Sequence, residues 1–126
     1  METVGFIGLG NMGGGMSNNI QKAGYPMVVY DLREEVIKPL LDGGARLAGS
    51  PAEVARLSDV TFTSLPGPRE AEAVATGAKG VLEGITSGGI YVDLSTSRPT
   101  LIREIEPKFR AKGAHVLDAP VSGGKS

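Results

Sequence analysis

The chain contains no cysteine and no tryptophan. The first absence excludes disulfides and thiolate metal sites. Histidine is nearly missing as well. The single His115 cannot build a metal site without several partner ligands, so it is expected on a strand as a structural residue. No charge of one sign accumulates: 13 basic and 14 acidic residues are scattered, with a formal net charge of −1. Without a charged tail or stripe, neither nucleic acid nor a membrane surface is an expected partner. No apolar run approaches the roughly 20 residues of a membrane helix. The chain enters a strand-like run almost at once and shows no basic signal region, so a cytoplasmic protein is expected. A length of 126 residues suits one domain, residues 1–126, and not two.

What is present in excess is glycine, 19 residues against an average usage of about 7%. The glycines are not periodic. They fall between apolar runs, where tight connections are needed. With 40% hydrophobic and 21% charged residues, the remainder reads as a globular chain rather than a disordered one.

Val4 to Ile7 is a short apolar run and predicts a buried strand. Met12, Met16, Ile20 and Ala23 recur at helical spacing and predict a helix over 11–23, with Gly24 at its end. Met27 to Tyr30 is a second strand, followed by a helix over 34–42 that Pro39 should kink or delay. Arg46 to Ala48 is a third short strand. Ser50-Pro51-Ala52-Glu53 is a capping box that opens a helix to about Leu57. Val60 to Ser64 predicts a strand closed by Leu65-Pro66-Gly67-Pro68, with a helix over 69–76 behind it. Ile90 to Leu94 is a strong strand. Pro99 opens a helix toward Gly113 that Pro107 should interrupt, and Val116-Leu117 begins a last strand. Short apolar strands alternating with amphipathic helices predict an α/β fold of Rossmann type, doubly wound, with a mostly parallel sheet covered on both faces.

The segment Gly8-Leu9-Gly10-Asn11-Met12-Gly13 matches G-x-G-x-x-G, with a strand running into it and a helix running out. Gly8 would permit the tight turn, Gly10 the close approach of a pyrophosphate, and Gly13 the close packing of helix on strand. Phosphates would then sit at the helix N-terminus, where unpaired N–H groups and the helix dipole favour negative charge. Three successive glycines, 13 to 15, each cost about 1 kcal/mol against alanine in a helix. Such a run is tolerated where close approach is required. The plainer alternative is a strand–turn–helix of an unrelated α/β domain.

Asp31 closes the second strand, where a carboxylate accepts hydrogen bonds from the ribose hydroxyls of NAD. Arg33, two residues on, offers a 2′-phosphate contact instead, so NADP stays open while Asp31 favours NAD. Leu32 stands between them. Asp31 has a plainer alternative role as a helix N-cap.

Taken together, Gly8 to Gly13 with Met16, Asn19 and Lys22-Ala23-Gly24 resemble the opening of the β-hydroxyacid dehydrogenases. This family includes 3-hydroxyisobutyrate dehydrogenase, tartronate semialdehyde reductase and the glyoxylate/succinic semialdehyde reductases. Three further segments resemble the family in order along the chain. Ser64-Leu65-Pro66 is similar to its adenine-side loop, so Leu65 and Pro66 would contact cofactor. Asp93-Leu94-Ser95-Thr96 with Pro99 is similar to its nicotinamide-side motif, where Thr96 would touch the cofactor. Asp118 to Gly124 is similar to its substrate motif, where Ser122, Gly123 and Gly124 would contact a substrate carboxylate. A serine hydroxyl and successive small-residue N–H groups suit an anion; a flexible Ser-Gly-Gly segment is the alternative.

The resemblance implies reversible hydride transfer between a nicotinamide cofactor and a small 3- or 2-hydroxy acid or semialdehyde. It also implies a homo-oligomeric full-length enzyme. The family's acid/base lysine belongs to an all-helical domain beyond the substrate motif. No residue here matches that lysine, and Lys125 receives no role. These 126 residues are therefore expected to bind cofactor without useful turnover. A non-catalytic NAD(P)-binding module is one alternative. The amino-terminal domain of 6-phosphogluconate dehydrogenase is another, ranked lower because no basic cluster awaits a sugar phosphate.

Overall fold

The computed structural model describes residues 2–8, 11–65, 68–94 and 99–119; the side chains of 11–14, 68, 99–101 and 118 are not described. Strands and helices alternate. They run β1 (Val4–Ile7), α1 (Asn11–Lys22), β2 (Met27–Tyr30), α2 (Glu34–Asp42), β3 (Arg46–Leu47) and α3 (Pro51–Leu57). Then follow β4 (Val60–Thr63), α4 (Pro68–Thr76), α5 (Val81–Gly84), β5 (Ile90–Asp93), α6 (Pro99–Ala111) and β6 (His115–Asp118). All six strands are parallel, in the order β3-β2-β1-β4-β5-β6. The chain therefore winds outward from β1 and from β4 in opposite directions across the sheet.

The strands are apolar runs rather than alternating ones because helices cover both faces of the sheet. All four residues of β1 are buried. On one face Phe6, Val29 and Val92 pack with Ile37 and Leu40 of α2 and with Met16 and Ile20 of α1. On the other, Ile7, Val28 and Tyr91 pack with α3 to α6 through Val54, Ala71, Val81 and Phe109. Stacked rings tie each face together, Phe6 on Phe62 at 5.6 Å and Tyr91 on Phe109 at 5.4 Å between centroids.

The helix ends follow local chemistry. Ser50 Oγ accepts from the Glu53 N–H at 3.2 Å, and the Glu53 carboxylate reaches back to the N–H of Gly49 at 2.6 Å. The predicted capping box thus forms, displaced by one residue on its return bond. At the end of α2 the Ala45 N–H donates to Leu40 O at 2.9 Å and the Gly44 N–H to Leu41 O at 3.0 Å, with Gly44 at φ +106°. That is a Schellman closure, and it requires a residue that tolerates the left-handed region.

Three expectations are corrected. Helix α2 runs through Pro39 and α6 through Pro107 without a break. Both prolines are exposed, as are Glu35 and Arg103 four residues before them. The carbonyls that lose a donor therefore lie on the solvent side, where water replaces it. Ala23 lies just past α1 and is exposed, so it does not extend the apolar face. Helix α5 was not foreseen, because four residues are too few to show a helical period.

Candidate cofactor-binding site

The winding of the sheet reverses between β1 and β4, and the crevice beyond the carboxyl ends of these strands is where ligands of such folds sit. Gly8 leaves β1 there. Its N–H donates to Tyr30 O at 3.0 Å, and the Ser64 N–H donates to Ile7 O at 3.0 Å. The ends of β2, β1 and β4 are thereby held at one level. Gly8 has φ +82°, and a Cβ on it would strike the Ser64 carbonyl oxygen and lie 2.9 Å from Leu65 Cδ2. Glycine is required twice over, by the turn and by the approach of the segment that follows β4. Sequence reasoning supplied only the first reason.

Helix α1 starts at Asn11 above this point and has no acidic residue in its first turn. Its N-terminal N–H groups and dipole suit an anion with no competing carboxylate. Leu9 and Gly10 lie outside the described residues, and the side-chain surroundings of Asn11, Met12 and Gly13 are not described. Pro66, Thr96, Ser122, Gly123 and Gly124 lie outside them also.

Asp31 follows β2, and its side chain is only 7% exposed. Oδ1 accepts from the Arg33 backbone N–H at 2.9 Å and from Arg33 Nε at 3.2 Å, while Oδ2 accepts from Arg33 Nη2 at 3.3 Å. The pair is two-pronged and local. Its hydrogen bonds and the Asp31 charge raise the already high pKa of the Arg33 guanidinium. The N-cap of α2 is Arg33, whose side chain makes no capping bond, so the N-cap alternative for Asp31 is overturned. Asp31 instead closes an Asx-type turn onto Arg33. Leu32, between them, is 87% exposed at the rim.

Beneath the other side of the crevice lies a polar cluster; sequence reasoning placed Asp93 in the nicotinamide-side motif but gave Thr63 and Tyr91 no role. Thr63, Tyr91 and Asp93 are each at most 1% exposed. Thr63 Oγ1 donates to Asp93 Oδ1 at 3.3 Å and lies 3.1 Å from the Tyr91 hydroxyl. Burial, reinforced by the charge of Asp93, pushes the Tyr91 hydroxyl above the ordinary phenol range. Tyr91 stays protonated at neutral pH and serves as a donor. The available signal was an acidic residue ending an apolar strand, with a tyrosine two positions earlier on the same face.

Among the described residues no three His, Cys, Asp or Glu side chains gather as a metal site, and no helix is long and apolar enough to cross a membrane.

A parallel sheet in this order, with a glycine turn at its switch point and a carboxylate ending β2, defines a dinucleotide-binding Rossmann domain. Residues 3–126 match the model of the NAD binding domain of 6-phosphogluconate dehydrogenase. Mitochondrial 3-hydroxyisobutyrate dehydrogenase of Mus musculus is 44% identical over 121 residues, covering 96% of this chain and 36% of the mouse protein. The chain thus spans about a third of that relative. Among solved structures, Mycobacterium tuberculosis 3-hydroxyisobutyrate dehydrogenase with L-serine superposes with a TM-score of 0.84 at 34% identity, covering 98% of this chain and 42% of that one. Psf3 in complex with NADP+ and 2-OPP superposes with a TM-score of 0.86 at 31% identity, covering 96% and 43%. The chain belongs to this NAD-binding family, as the amino-terminal domain of the β-hydroxyacid dehydrogenases.

Proposed function

We propose that this chain is the cofactor-binding half of an oxidoreductase acting on a small 3- or 2-hydroxy acid or its semialdehyde. The observation that carries the proposal is the switch point itself. There Gly8 is forced to be glycine by the Ser64 carbonyl, and a carboxylate-free helix start stands above it. These residues fit a dinucleotide. Residues Gly8 to Gly13 would hold the pyrophosphate, with backbone N–H groups meeting its charge. Asp31 and Arg33 would meet the adenosine ribose, with Leu32 and the Leu65-Pro66 segment against the adenine side. Thr96 would face the nicotinamide ring, and Ser122, Gly123 and Gly124 would hold the substrate carboxylate.

When bound, the nicotinamide supplies or accepts the hydride. The chain's own work is to orient cofactor and substrate and to screen them from water. None of its residues is assigned the proton transfer. The name of the mouse relative supports the substrate class, as does L-serine, a small hydroxy acid, in the mycobacterial structure.

The Asp31–Arg33 pair supports a preference for NAD over NADP. An Asp31 carboxylate held at the ribose repels a 2′-phosphate, and Arg33 is already engaged by it. Fluorescence titration of the chain with NADH tests the proposal. Saturable binding that Gly10→Val abolishes is the expected result. No binding of NADH or NADPH at millimolar cofactor would sink it.

A further inference from the structure

Thr63 and Asp93 are register partners at the carboxyl ends of β4 and β5. Of the two segments assigned above to the cofactor, Ser64-Leu65-Pro66 follows Thr63 directly, and Asp93-Leu94-Ser95-Thr96 begins at Asp93 itself. The Thr63 hydroxyl has one hydrogen and gives it to Asp93 Oδ1, so the Tyr91 hydroxyl must be the donor on its other side. The result is a directed chain from Tyr91 through Thr63 to Asp93, sealed from water.

Backbone bonds already hold these strand ends together: the Leu94 N–H donates to Thr63 O at 2.8 Å and the Ala119 N–H to Asp93 O at 3.0 Å. A buried carboxylate is costly unless hydrogen-bonded. Well-packed apolar residues in place of a buried polar network are often neutral or stabilising. Sheet pairing alone therefore does not call for this cluster. What it adds is geometry, since side-chain bonds fix the rotation and spacing of two strand ends more tightly than apolar contact does. The effect passes directly to the turn after β1. Ser64 follows Thr63, and its carbonyl fills the space beside Gly8 where a Cβ would go, with Leu65 Cδ2 next to it.

We propose that Thr63 and Asp93 are positioning residues, whose buried hydrogen bond sets where Ser64 and Leu65 stand against Gly8 and thereby sets affinity for the dinucleotide. This rests on the proposed function, because it assumes that the crevice holds NAD(P).

The test is NADH fluorescence titration of the chain and of Thr63→Val and Thr63→Ser, with folding of each checked by circular dichroism. Valine keeps the shape and removes the donor, and affinity is expected to fall about tenfold, the scale of one lost bond to a charged group. Serine keeps the hydroxyl and is expected to restore binding to within about twofold. If Thr63→Val does not fold, Tyr91→Phe replaces it. It removes only the outer donor and is expected to weaken binding roughly threefold. A folded Thr63→Val or Tyr91→Phe that binds as the unaltered chain does would overturn the inference, as would Thr63→Ser binding as poorly as valine. Those results leave the proposed function standing. An unaltered chain that binds neither NADH nor NADPH removes that function, and this inference with it.

Discussion

Asp31 and Asp93 are the same residue at the same kind of place, the carboxyl end of a parallel strand facing one crevice, yet their partners differ. Asp31 is held by Arg33, a cation on a long side chain that is itself half exposed. Asp93 is met by a hydroxyl within the core, and the chain behind it leads inward to Tyr91. An exposed guanidinium can swing aside at small cost because water replaces its bonds. A buried hydroxyl cannot, because nothing replaces them. The first carboxylate suits exchange of partners with a ligand, and the second suits immobility.

The largest expected difference between them is in stability. Asp93→Ala should lower the free energy of unfolding by about 3 kcal/mol, since it strands buried hydroxyls. Asp31→Ala should cost less, about 1.5 kcal/mol, because its carboxylate is largely buried but its guanidinium partner is half exposed and rehydrates. Urea titration of both variants checks this, and equal losses would erase the distinction.

Next comes cofactor discrimination. NADH should bind more tightly than NADPH, and Asp31→Ser should narrow or reverse the gap by roughly 1.5–3 kcal/mol, or tenfold and more. Thr63→Val should weaken both cofactors by the same factor. Equal NADH and NADPH affinities in the unaltered chain would move the recognition to Arg33.

The buried side should also show in alkali. The hydroxyl of Tyr91 titrates higher in the folded chain than in the unfolded one. Its contribution is complete below the unfolded value of about 10 and is lost as the pH rises toward the folded value. Stability should fall above that point, and Tyr91→Phe should make the decline shallower by up to about 1.4 kcal/mol per pH unit, one proton's worth. Identical slopes would show that Tyr91 is not the group responsible.

The smallest effect tests the rule from the opposite direction. Among the described residues, Ser58 Oγ is buried without a hydrogen-bond partner, unlike Thr63. Ser58→Ala should therefore stabilise the chain by about 1 kcal/mol, visible as a higher urea midpoint. A loss of stability would mean that the hydroxyl is satisfied after all.

The legible parts of the molecule were those governed by local chemistry. The β1–Gly8–α1 turn, the Ser50 cap and the order of strands and helices each follow from a few neighbouring residues. Pro39 and Pro107 misled because a proline's cost depends on which way the lost carbonyl faces, which spacing alone does not reveal. The Thr63–Asp93 bond was hidden because its members are 30 residues apart and meet only through strand register. The second reason for glycine at position 8 was hidden likewise, since the obstructing carbonyl belongs to Ser64. In Asp31 the position was visible and its bond to Arg33 was not.

The pairing of β1 with β4 sets Val4 opposite Val60, whereas β1–β2, β2–β3, β4–β5 and β5–β6 join strands that follow one another in the chain. The sheet therefore has one seam, and closing it carries the largest loop entropy of any strand pairing present. Each half can gather its own neighbours quickly; their joining is the step that slows folding. A dinucleotide lying across that seam would act as a clasp between the halves. Protection of β1 amides against hydrogen exchange should then rise with cofactor concentration, as any ligand bound only by the closed seam demands.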